Sequence, residues 1–156
     1  MKDHHYQIAL EWTGNLGTGT KDYLSYSRDH SIKMDHKPND ILGSSDPSFR
    51  GDKSRYNPEE LFLSSISACH MLWYLHLCAV NHINVLSYQD NASGTMEENK
   101  SGSGKFKEVT LYPKVLIETP SHIEKAISLH SEAHKMCFIA NSCNFPIGHQ
   151  PKITSK

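Results

Sequence analysis

The 25 residues 56–80, YNPEELFLSSISACHMLWYLHLCAV, constrain the fold most, because a run this long and this apolar is accommodated best by a single helix. Asn57 suits the N-cap, Pro58 the first helical position, and Glu59 and Glu60 place negative charge at the positive end of the helix dipole. From Leu61 onward apolar residues occupy nearly every face, interrupted only by the serines, His70 and His76. That pattern predicts a central helix covered on all sides rather than a surface helix with one apolar stripe. Ser64, Ser65, Ser67 and Ala68 make one section thin, so another backbone can approach there and the Cys69 sulfur is left room for a small ligand.

Composition narrows the class. A chain of 156 residues fits one domain, 1–156, and a globule of this size buries about 70% of its unfolded surface. The net charge of −1, with both signs mixed along the sequence, supplies no basic field for nucleic acid or lipid, so neither is expected as a partner. Residues 1–12 lack the apolar core of a signal peptide, and no stretch free of polar residues approaches a membrane span, which gives the expectation of a cytoplasmic protein. In that compartment the four cysteines are expected as thiols, serving catalysis, metal binding or packing. Eleven histidines keep metal binding in view.

Along the chain, residues 5–12 alternate weakly and suit a first strand, 14–19 a glycine- and threonine-rich turn, and 22–34 a returning strand that offers Arg28 at or near a bend. Residues 35–55 read as a long loop. After the central helix, 84–97 and 105–118 form a second hairpin about the turn at 99–104. Ser121 and Glu124 have capping-box spacing, and Ile123, Ala126, Ile127, His130, Ala133, His134 and Cys137 recur at helical intervals, so a second helix ends near Cys137. A short terminal strand closes the chain. The sum is an α+β fold with antiparallel sheets packed on helices.

NPEEL, the run of small residues after it and the pair Ala68-Cys69 resemble the signature of the OsmC/Ohr family, the osmotically inducible and organic hydroperoxide resistance proteins. The resemblance implies an intertwined homodimer in which two sheets enclose a pair of long central helices. It also implies a peroxidatic cysteine, here Cys69, held as thiolate by an arginine that the glutamate of NPE orients, here Glu59. Arg28, in an Arg-Asp pair upstream, matches that arginine best, with Arg50 second and Arg55 third. A second cysteine at the end of the last helix maps to Cys137, although the proline that follows it in the family is missing and Cys143 is an alternative. The implied reaction reduces an organic hydroperoxide with no bound cofactor, an external dithiol of lipoyl type restoring the cysteines.

Helix geometry adds a condition. Ten residues separate Glu59 from Cys69, roughly 15 Å along the axis and on different faces, so a site using both draws Glu59 from a second subunit. Phe62, Ile66, Leu72 and Trp73 offer apolar surface to an alkyl group. Cys78, nine residues past Cys69, points to another quarter of the helix and reads as a packing thiol. Two other functions compete: a zinc module using His130, His134 and Cys137 at i, i+4 and i+7, with His70 and His76 near, and an OsmC-like small-molecule binder with weak or lost peroxidase activity.

Overall fold

The computed structural model describes residues 2–156. Two compact units divide the chain, one running up to Leu61 and the other Phe62–Lys156.

In the first unit, strands β1 (Ala9–Trp12), β2 (His30–Lys33) and β3 (Ile41–Gly43) form an antiparallel sheet in that order. The first hairpin is shorter than its pattern suggests. Residues between β1 and β2 satisfy their polar groups locally instead: Asn15 Oδ1 accepts from the backbone N–H groups of Gly17 and Gly19, and Trp12 Nε1 donates to the Ser27 carbonyl. Gly14 is required there, since a Cβ at that position would stand 1.9 Å from the Ser27 carbonyl oxygen. The loop 35–55 contains β3 and a 3-10 turn, Pro47–Phe49, started by Asp46, whose carboxylate accepts from Ser48 N at 2.7 Å.

Helix α1 is Pro58–Val80. Asn57 and Glu60 close a reciprocal capping box: Glu60 N donates to Asn57 Oδ1 at 2.7 Å, and Asn57 N donates to Glu60 Oε2 at 3.1 Å. Within a single chain α1 buries one stripe, Ile66, His70, Tyr74 and Cys78. Leu72 and Val80 remain 63% and 56% exposed. By length and composition alone α1 would also suffice to cross a membrane, but its buried stripe is packed against the sheets and the second helix of its own unit.

The second unit carries two three-stranded sheets. In one, β4 (Val85–Asp90), β7 (Pro113–Ile117) and β9 (Lys152–Ser155) lie in that order, with β4–β7 antiparallel and β7–β9 parallel. In the other, β5 (Ser93–Glu98) and β6 (Gly104–Leu111) are antiparallel, and β8 (Ile147–His149) runs parallel to β6. The second hairpin is therefore present but broken in both arms. Asp90 stands at the break, accepting from Tyr112 N at 2.7 Å with one oxygen and from the Ser67 hydroxyl of α1 with the other.

Helix α2 is Ile123–Met136, and α3, Phe138–Asn141, follows at once. Ser121 and Glu124 do not form the expected capping box, because Pro120 opens a 3-10 turn, Pro120–His122, and no side chain caps α2. The larger core joins Tyr74 and Cys78 of α1 to Ala126, Leu129 and Ala133 of α2 and to Val115 and Ile117 of β7. A smaller one gathers Ile66, Val109 and Leu111, with Cys143 and Phe145 at its margin.

Candidate functional site: a cysteine pair between two helices

Cys69 lies at the mid-point of α1 and is partly exposed, while Cys137 is the C-cap of α2 and fully buried. Helix periodicity brings the second cysteine inward: Ala126, Leu129, His130, Ala133 and Cys137 share the buried face of α2. Its sulfur also accepts from Ala140 N at 3.4 Å, capping α3 and fixing the turn between the helices. The Cys69 and Cys137 side chains are within interaction distance, and all four cysteines are free thiols.

Burial pushes the Cys137 thiol up to about 11; the Ala140 N–H opposes the rise and the neighbouring Cys69 adds to it. Cys137 is therefore a protonated thiol at neutral pH and a poor first nucleophile, since the thiolate is the reactive form. Cys69, the more exposed of the two, is the one a substrate can reach. Cys143 has its sulfur on the Ile139 carbonyl at 3.2 Å, and burial raises its pKa. Cys78 is 1% exposed in the larger core, its pKa likewise raised by burial.

Cys69, Trp73 and His76 follow one another at i, i+4 and i+7, one face of α1. Leu72, Trp73 and His76 line a cavity of about 240 Å³, and the Trp73 ring meets Phe138, the residue after Cys137, edge to face at 5.7 Å. A larger cavity of about 430 Å³ lies on another quarter of the helix, lined by Leu63, Ser67, Met71 and Asp90 among others; Cys69 does not line it.

The remaining predicted site residues belong to the first unit. Arg28 donates to the carbonyls of Tyr26 and Tyr23 at 2.7 and 2.8 Å, and its guanidinium lies over both tyrosine rings at 4.2 and 4.4 Å. Arg50, in the left-handed region at φ 66°, faces the same Tyr23 ring at 5.9 Å. Arg55 pairs with Asp29 and Asp52 at 3.5 and 3.6 Å. Glu59 stands in the first turn of α1 with Oε2 buried and without a partner, so it forms no ion pair with Arg28 in this chain.

The zinc alternative names His130, His134 and Cys137, with His70 and His76 near; the structure adds His149 beside His70, His130 and His134. The rings of His70 and His130 lie edge to edge, Nε2 to Nδ1 at 3.0 Å, and Tyr74 stacks on His130 at 3.8 Å. His149 of β8 stands 5.6 and 6.0 Å from these two rings and 5.9 Å from His134. For His149 itself, the count of eleven histidines is the one hint in the sequence. Among the described residues, no three His, Cys, Asp or Glu side chains are placed to hold one metal ion.

A family model described as OsmC-like protein matches residues 51–152, the span that contains NPEE, both cysteines and the helices that carry them. The chain belongs to the OsmC-like family. An OsmC-like protein of unknown function from Vibrio cholerae is 30% identical, with a TM-score of 0.84 over 97% of this chain and 100% of that one. An organic hydroperoxide resistance protein from Elizabethkingia anophelis gives a TM-score of 0.69 at 20% identity, covering 99% and 100% of the two chains. Another, from Legionella pneumophila, gives 0.68 at 16%, covering 97% and 99%. These two likenesses establish the fold, which is the α+β fold of OsmC and Ohr proteins. No curated protein matches the chain.

Proposed function

We propose that this OsmC-like protein is a homodimeric, cytoplasmic, thiol-dependent peroxidase that reduces organic hydroperoxides to alcohols. One observation carries the reading: a partly exposed Cys69 sits against a buried, protonated Cys137 with no disulfide between them. The Cys69 thiolate attacks the distal oxygen of the hydroperoxide, the O–O bond breaks, and the alkoxide leaves and takes a proton to become the alcohol. Cys69 is left as a sulfenic acid. The Cys137 sulfur then attacks the Cys69 sulfur, water departs, and the two cysteines have supplied both electrons as a disulfide. An external dithiol of lipoyl type exchanges with that disulfide and returns both thiols, so no bound cofactor is needed.

Arg28 and Glu59 are assigned to activation of Cys69, with Arg50 and Arg55 as the other candidate cations. The unpartnered Glu59 oxygen supports this, since a buried carboxylate oxygen without a donor is costly and is relieved by a guanidinium. The apolar groove of Leu72 and Trp73 favours an alkyl or aryl hydroperoxide over hydrogen peroxide, each buried methylene contributing about 0.8 kcal/mol.

The test adds about one equivalent of cumene hydroperoxide to the reduced protein and follows intact mass and free thiols in wild type, Cys69→Ser and Cys137→Ser. Wild type is expected to lose two thiols rapidly, Cys137→Ser to stop at sulfenic or overoxidised Cys69, and Cys69→Ser to keep all of its thiols. A wild-type protein that keeps Cys69 reduced under these conditions overturns the assignment.

A further inference from the structure

The two helices that bring the cysteines together have one polar contact that fixes their register. His70 directly follows Cys69 on α1, and His130 precedes Cys137 by seven residues, two turns along the same face of α2. Their ring nitrogens meet at 3.0 Å, and both side chains are buried, at 1% and 0% exposure. Among the described residues this is the only side-chain hydrogen bond between nitrogen or oxygen atoms of α1 and α2; the rest of the contact is the apolar core of Tyr74, Cys78, Ala126, Leu129 and Ala133.

Apolar packing attracts without direction, so by itself it tolerates neighbouring registers. The histidine pair does not. The outer nitrogens, His70 Nδ1 and His130 Nε2, are already buried without partners. Sliding α2 by one residue would orphan the inner two as well, and each lost partner costs about 1–3 kcal/mol. The same slide would move Cys137 by about 1.5 Å along the helix axis, with the apolar face of α2 still turned to the core. A disulfide needs Cβ atoms about 3.5–4.5 Å apart with a defined torsion, so such a slip takes Cys137 out of reach of Cys69. Register of the helices and closure of the disulfide are thus set by the same contact.

We propose that the His70–His130 hydrogen bond is a positioning device for the Cys69–Cys137 disulfide: neither ring touches substrate, and together they hold Cys137 where it can resolve the oxidised Cys69. This rests on the peroxidase reading above. The pair acts on the second chemical step, after the hydroperoxide has been reduced, and on the equilibrium between disulfide and dithiol.

The test separates the steps. Sulfenic acid at Cys69 is read by dimedone labelling after one equivalent of cumene hydroperoxide, and disulfide closure is read by rapid acid quench and mass. The variants are His130→Phe, which keeps a ring to stack on Tyr74 and removes Nδ1, and His130→Asn, whose amide places a polar atom near the position of Nδ1. His130→Phe is expected to slow closure about tenfold or more, and a tenfold loss in the closure equilibrium appears as a shift of about 30 mV toward a more oxidising potential. His130→Asn is expected to recover most of both.

Circular dichroism checks that the variants fold. Should His130→Phe not fold, His70→Leu and His70→Gln make the same comparison at the Nε2 end. Closure in the deletion variants within about twofold of wild type overturns the proposal, as does Asn or Gln performing no better than Phe or Leu. Failure of dimedone to label Cys69 even in Cys137→Ser points instead to failure of the peroxidase reading.

Discussion

At the scale of single residues, the chain keeps several ionisable groups in their neutral forms. Burial lowers the pKa of His70 to about 4 and of His130 to about 3, and His149 is also lowered, mainly by burial. Among the described residues, no carboxylate hydrogen-bonds to either ring of this pair. Their surroundings are Tyr74 on α1, His134 on α2 and His149 on β8, so a proton taken up there meets other proton acceptors or aromatic faces and no countercharge. Unfolding returns each ring to an ordinary value of 6.5. Below that pH the unfolded chain binds more protons than the folded one, so their contribution is complete above about 6.5 and declines as pH falls toward 4 and then 3. At pH 5 the loss is roughly 2 kcal/mol for each inner ring, which for a chain of this length lowers Tm by about ten degrees. Thermal unfolding between pH 7.5 and 4.5 measures it, and His70→Gln is expected to flatten the profile; a wild-type Tm independent of pH over that range would show that the rings are not held neutral.

Elements show how local chemistry and distant pairing divide the fold. The start of α1 is local: Asn57 and Glu60 cap each other's backbone N–H, and Asn57→Ala is expected to cost about 1 kcal/mol in urea unfolding, with no change in the first oxidation of Cys69. That start, the course of α1 and the end of α2 at Cys137 were legible because caps and 3.6-residue periodicity are written in adjacent residues. Other features were not. The strands read as 84–97 and 105–118 are each broken, because the Asp90 side chain takes Tyr112 N out of the backbone ladder. The parallel pairings β6–β8 and β7–β9 join segments tens of residues apart and leave no local period. Of the site, the cysteines were legible through their helical positions and the family pattern. His149 was not, since one histidine in a three-residue strand carries no signal until β8 docks beside β6.

For the whole molecule, the decisive quantity is what covers the other face of α1. Leu72 and Val80 expose more than half of their surface along a helix whose opposite stripe is already core, an arrangement that a second apolar surface would stabilise. In the proposed dimer that surface is the partner's own α1, and the unpartnered Glu59 serves the Cys69 of the other subunit. The dependence of one subunit on the other can be measured by complementation. Glu59→Gln keeps a cysteine and lacks the carboxylate; Cys69→Ser keeps the carboxylate and lacks the cysteine. Co-expressed with different tags and purified as the mixed dimer, they reconstitute one complete site and one empty one, so the expected peroxidase rate is about half that of wild type although each parent is severely impaired. Were Glu59 to act on the cysteine of its own chain, neither site of the mixed dimer would be complete and activity would fall to about half that of the Glu59→Gln parent. Val80→Lys supplies the second arm: a charge buried at the shared face is expected to shift the protein from dimer to monomer in sedimentation and to lower the peroxidase rate with it.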